Sequence, residues 1–87
     1  MTYTVELSLA TAKSLKKLDA FHRLRIAGAL ELLSVEPRPP GATMPRGGER
    51  GRWRVRLGDH RIVYAIEDDR LTVLVLRIAH RREVYQR

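Results

Sequence analysis

The stretch Gly51-Arg52-Trp53-Arg54-Val55-Arg56-Leu57-Gly58-Asp59-His60-Arg61-Ile62-Val63-Tyr64 sets arginines among alternating apolar residues. With Gly58-Asp59 as a two-residue turn, the spacing predicts a hairpin in which Leu57 faces His60, Arg56 faces Arg61, Val55 faces Ile62 and Trp53 faces Tyr64. Opposed residues share a face, because side chains alternate with period two. Trp53, Val55, Leu57, Ile62 and Tyr64 therefore line one side, and Arg54, Arg56 and Arg61 meet on the other. Like charges directly opposite one another destabilise a sheet, so three guanidiniums gathered there point to an anion between them. Nucleic-acid phosphate is the first candidate. Arg46, Arg50 and Arg52, at the end of the preceding loop, either add phosphate contacts or are ordinary surface arginines. The chain closes on His80-Arg81-Arg82-Glu83-Val84-Tyr85-Gln86-Arg87. One reading brings His80, Arg81 or Arg82, and Tyr85 beside the arginine face; the other packs Val84 and Tyr85 as a tail.

The elements that must position these residues can be read from periodicity. Tyr3, Val5 and Leu7 alternate with polar residues, as in a half-buried strand. Ser8 can cap a short amphipathic helix carrying Leu9, Ala12, Leu15 and Leu18, with Lys13, Lys16 and Lys17 on a solvated face. Asp19 can cap a second helix with an apolar stripe of Phe21, Leu24, Ala27, Leu30 and Leu33, placing Phe21 and the leucines in the core and His22 toward solvent. Pro37 ends it. Residues 36–49 hold all four prolines and form a loop long enough to be functional. Gly47-Gly48 and Gly51 lack the flanking strand and helix of a phosphate-binding glycine fingerprint. After the hairpin, a turn at Asp68-Asp69 would pair Ile66 with Leu71, Tyr64 with Val73 and Ile62 with Val75. Leu71 to Ala79 is apolar enough for a central strand. In that register Arg61 faces Leu76, with Leu74 and Ile78 on the same side as an apolar floor.

The 87 residues make one small domain, 1–87, of class α+β: a β-α-α-β-β-β order with two antiparallel helices on one face of a mainly antiparallel four-stranded sheet. The formal charge of +7 argues for a polyanionic partner. It is uneven: residues 1–45 carry six basic and four acidic side chains (+2), residues 46–87 eleven and six (+5), and those eleven are all arginine. With no cysteine, disulfide scaffolds, thiolate zinc sites and thiol redox chemistry are excluded. Three scattered histidines do not suggest a metal site. No basic leader or membrane-length apolar run is evident, so a soluble cytoplasmic protein with no cofactor and no membrane partner is expected.

Trp53 to Tyr64, then Asp68-Asp69-Arg70-Leu71-Thr72-Val73-Leu74-Val75-Leu76-Arg77, then His80-Arg81-Arg82-Glu83-Val84-Tyr85, together resemble the RelE branch of the RelE/ParE toxin superfamily. The likeness spans essentially the whole chain. It implies a toxin of a type II toxin-antitoxin pair, an endoribonuclease that cleaves messenger RNA in the A site of the 70S ribosome without a metal. It also implies a cognate RelB-like antitoxin that wraps the basic surface. Carried over by residue, the family's basic strand positions fall on Arg54 and Arg56, its next-strand arginine on Arg61, its late basic position on Arg81, with Arg82 or His80 as alternatives, and its terminal tyrosine on Tyr85.

Family members often carry lysine on the first of these strands, where this chain has arginine, which binds phosphate but is a poor general base. Metal-free RNA cleavage needs a base for the 2′-hydroxyl, cations for charge developing on phosphorus, and an acid for the leaving 5′-oxygen. The resemblance therefore implies Arg56 and Arg61 as the phosphate clamp, Tyr85 as base and Arg81 as leaving-group stabiliser, with Arg52, Arg54, Arg82 and His80 as further RNA contacts. Arginine neighbours would favour the Tyr85 phenolate, and His80 is its rival for proton transfer. Two other readings compete: a ParE-like toxin that binds DNA gyrase without cutting RNA, and a basic nucleic-acid-binding module without catalysis.

Overall fold

The computed structural model describes residues 2–44 and 51–80. In chain order they form β1 (Thr4–Leu7), α1 (Leu9–Lys16), α2 (Ala20–Val35), β2 (Arg52–Leu57), β3 (His60–Glu67) and β4 (Thr72–His80). The sheet order is β1-β4-β3-β2, with β1 parallel to β4 and the other pairs antiparallel. The expected α+β architecture stands. The long β4 is central, as its apolar run demands. Ile26, Leu30 and Leu33 of α2 pack on Ile62, Tyr64, Val73, Val75 and Ile78, so the core lies between the helices and one face of the sheet.

Both helix starts follow from side-chain caps. The Ser8 hydroxyl accepts the Thr11 N–H at 3.1 Å, and the Asp19 carboxylate accepts the His22 N–H at 2.9 Å, each satisfying a backbone donor that the first turn leaves free. The stripes differ from expectation. In α1, Leu9 is exposed, whereas Thr11 is fully buried because its hydroxyl donates to the Val75 carbonyl at 3.1 Å. In α2, Phe21 and Leu24 are exposed and Ile26 takes their place in the core. The helix is apolar on two opposite faces, and spacing alone merged residues of both.

The first hairpin has the expected register, Leu57 with His60, Arg56 with Arg61, Val55 with Ile62 and Trp53 with Tyr64. Gly58 adopts a φ of 60°, the left-handed conformation that a tight turn needs. The second hairpin departs from the expected register. A short 3-10 turn at Asp68–Arg70, closed by Leu71 in the left-handed region, consumes more residues than the expected turn, so Ile66 pairs with Val73 and Tyr64 with Val75. A bulge then shifts the ladder again: Val63 pairs with Arg77, Ile62 with Ile78 and Arg61 with Ala79. The expected pairing of Arg61 with Leu76 does not form, and Ile78 lies on the helix side.

The start of the proline loop is fixed to the sheet. The Tyr64 hydroxyl donates to the Pro37 carbonyl at 2.7 Å, and burial pushes this phenol up to about 12, so it remains a donor. Arg38 pairs with Asp68 at 2.9 Å and stacks its guanidinium 5.6 Å from the Trp53 ring centroid.

The two faces of α2 can be separated by stability. Ile26→Ala should cost about 2–5 kcal/mol in urea unfolding at low protein concentration. Leu24→Ala should stay within about 0.5 kcal/mol. Equal losses would contradict the assignment.

Candidate nucleic-acid interface

The face of the sheet turned away from the helices carries three cross-strand rows. Arg56, Arg61 and Ala79 form one, Arg54, Val63 and Arg77 the next, and Arg52, Ala65 and Leu74 the third. The turn at Gly58 fixes the parity that sends β2 arginines outward while Trp53, Val55 and Leu57 face the helices. Val63 and Ala79 are buried within these rows and, with Leu74, supply the apolar floor that was expected of Leu74, Leu76 and Ile78. An apolar floor strengthens the pull of nearby cations on phosphate by lowering the local dielectric.

Two features of the site were not read from the sequence. The bulge in β4 turns Arg77 outward beside Arg54. The loop also returns to the β2 edge at Thr43, whose N–H donates to the Arg54 carbonyl at 2.9 Å and whose carbonyl accepts the Arg54 N–H at 2.7 Å. No local pattern marks either feature, since one depends on a bulge and the other on an isolated bridge. Together with Gly41 and Val55, Thr43, Arg54, Arg56 and Arg61 line an open cleft of about 400 Å³. Among the described residues, no carboxylate pairs with Arg54, Arg56 or Arg61. The cleft thus offers uncompensated guanidiniums, chemically suited to a phosphodiester.

The predicted site residues do not all share this face. Arg52, Arg54, Arg56 and Arg61 do. His80 does not: it pairs with His60 on the helix side, with ring centroids 5.0 Å apart. His22, expected toward solvent, places its ring 5.4 Å from His60 and its Nδ1 2.8 Å from Asp19. All three histidines of the chain thus converge on the side opposite the cleft. Arg46, Arg50, Arg81, Arg82 and Tyr85 lie outside the described residues. No group of metal-ligating side chains suited to an ion occurs among the described residues, nor does a helix long and apolar enough to cross a membrane.

Relatives of known identity agree with this geometry. Residues 5–85 match the family model for the ParE toxin of the type II toxin-antitoxin system parDE. Toxin RelG of Mycobacterium tuberculosis is 34% identical over 91 residues, covering 100% of both chains. The chain belongs to the RelE/ParE family of type II toxin-antitoxin toxins. Among solved structures, the toxin fold is similar to the toxin-antitoxin complex RelBE2 of M. tuberculosis, with a TM-score of 0.84 at 29% identity over 93% of each chain. It is also similar to the archaeal RelE-RelB complex of Pyrococcus horikoshii, with a TM-score of 0.80 at 27% identity over 93% of this chain and 97% of that one. The isolated Escherichia coli RelE toxin, at 20% identity and a TM-score of 0.77, shares the fold.

The histidine cluster predicts a pH-dependent stability for the toxin. Burial, then the neighbouring His80 and His22, hold the His60 imidazole below its usual pKa; Arg25 acts in the same direction, and Asp59 opposes them. The folded state therefore disfavours imidazolium, while the unfolded chain takes up the proton near the ordinary value of about 6.5. This stabilising contribution is fully present above that value and is lost as pH falls through the folded pKa. Urea midpoints should drop between about pH 7 and pH 5. His60→Phe should flatten that drop, and an unchanged slope would contradict the role given to His60.

Proposed function

We propose that this toxin is a ribosome-dependent endoribonuclease, neutralised by a RelB-like antitoxin, that cuts messenger RNA in the A site by metal-free acid-base chemistry. The observation carrying this reading is the convergence of Arg54, Arg56 and Arg61 on one open cleft free of carboxylate partners among the described residues. In the proposed reaction the 2′-oxygen loses its proton to a base and attacks phosphorus. The bond from phosphorus to the 5′-oxygen breaks, and that oxygen takes up a proton. The products are a 2′,3′-cyclic phosphate and a 5′-hydroxyl.

Arg56 and Arg61, directly opposed, hold the two non-bridging oxygens and stabilise the charge that grows on them. Arg54 and Arg52 track the adjoining backbone. Tyr85 is the proposed base and Arg81 the leaving-group stabiliser, with Arg82 as a further contact. The position of His80 against His60 favours Tyr85 over His80 for proton transfer. The second reading, binding of DNA gyrase without cleavage, draws support from the ParE description of the matching family model.

Induction in bacteria should arrest growth and produce message ends within codons on translating ribosomes. Arg61→Ala or Tyr85→Phe should each reduce cleavage by about 100-fold or more. Intact messages together with inhibited supercoiling would replace this reading with the gyrase-directed one.

A further inference from the structure

Helix α2 has a second apolar face that its own fold leaves uncovered. Phe21 is 64% exposed, Leu24 73%, Leu32 71% and Val35 67%. At about 100° per residue these four and Gly28 fall in one narrow sector, on the side opposite Ile26, Leu30 and Leu33. A contiguous exposed apolar stripe of this kind marks an interaction surface.

The stripe is symmetric about its midpoint. Phe21 and Val35 stand seven residues to either side of Gly28, and Leu24 and Leu32 stand four. Among the described residues nothing requires Gly28 to be glycine: a Cβ there would meet none of them within 4 Å, and glycine inside a helix is destabilising relative to alanine. A missing side chain at the centre of an apolar stripe lets another helix cross close by.

We propose that this face is a self-association surface, on which two copies of the chain pack α2 against α2, antiparallel, about a two-fold axis passing Gly28. Phe21 then meets Val35 of the partner subunit, and Leu24 meets Leu32 of the partner subunit. A two-fold interface must be self-complementary, which the symmetric spacing satisfies and a different partner would not require. Arg25, on the rim of the stripe, lies over the Phe21 ring at 5.8 Å from its centroid and against the Gly58 turn. One helix-on-helix contact is at the small end of specific interfaces, about 1,200 Å² or less, so the dimer is weak and reversible. The charge of +7 on each copy opposes it, and added salt strengthens it. The two arginine clefts face outward in such a pair, so the inference does not rest on the proposed cleavage chemistry.

Sedimentation velocity of the purified chain from about 1 µM to about 500 µM tests this. The mass should rise toward twice that of the monomer, more readily in high salt. Leu24→Glu or Leu32→Lys alone should weaken association at least about tenfold with unchanged circular dichroism, since both positions are exposed. Gly28→Leu should do the same by blocking the crossing. Combining Leu24→Glu with Leu32→Lys in one chain should restore association, because the acidic and basic positions then face each other across the axis. A chain monomeric at every concentration would overturn the proposal, as would a dimer indifferent to these variants. So would a monomer whose α2 face becomes protected only when antitoxin binds.

Discussion

The constraint on which the rest depends is the parity of the hairpin around Gly58. Because a strand alternates its faces at every residue, one turn geometry decides which half of β2 and β3 enters the core. With Arg56 opposite Arg61, Val55 meets Ile62 and Trp53 meets Tyr64 beneath the helices. A slip of one residue would drive three guanidiniums into the core and expose the aromatic pair. Burial of the apolar half therefore holds together, on the other face, a cluster of charges that would not assemble by itself. The repulsion between Arg56 and Arg61 is a cost of the resting fold that a phosphate bound between them would reverse.

The same sheet separates two chemistries. Its outer face carries arginines over an apolar floor and an open cleft. Its helix face gathers the three histidines of the chain near the N-terminal end of α2, where their proximity opposes protonation of His60. His80 thus sits beside His60 on the face away from the arginines. The Arg38 pairing with Asp68 and the Tyr64 bond to Pro37 anchor the loop as it leaves α2, and Thr43 brings that loop back to the rim of the cleft.

Much of this was legible in the residues. Ser8 and Asp19 announced their helices because a cap is a local hydrogen bond, and the glycine turn announced the first hairpin together with its register. The second hairpin was not legible, because a left-handed leucine at residue 71 and a bulge at Val63 and Tyr64 carry no strong local signature. Phe21 and Leu24 were expected in the core because hydrophobicity marks a residue for burial without saying which body buries it. The glycine-turn register alone placed Arg54, Arg56 and Arg61 on one face, as the structure shows, and the likeness to the RelE branch added only the roles expected of them. Arg77 and Thr43 joined them only through long-range pairing.

On the proposed reading, the outer face of this hairpin is where RNA phosphate binds. It is tested most directly by the salt dependence of binding to a short single-stranded oligoribonucleotide. Removing one arginine that neutralises a phosphate should make the slope of log K against log salt shallower by about 0.7. Arg54→Ala, Arg56→Ala and Arg61→Ala should each show that change, and Arg23→Ala on α2 should show none. An unchanged slope for Arg56 and Arg61, or an equal change for Arg23, would contradict the account.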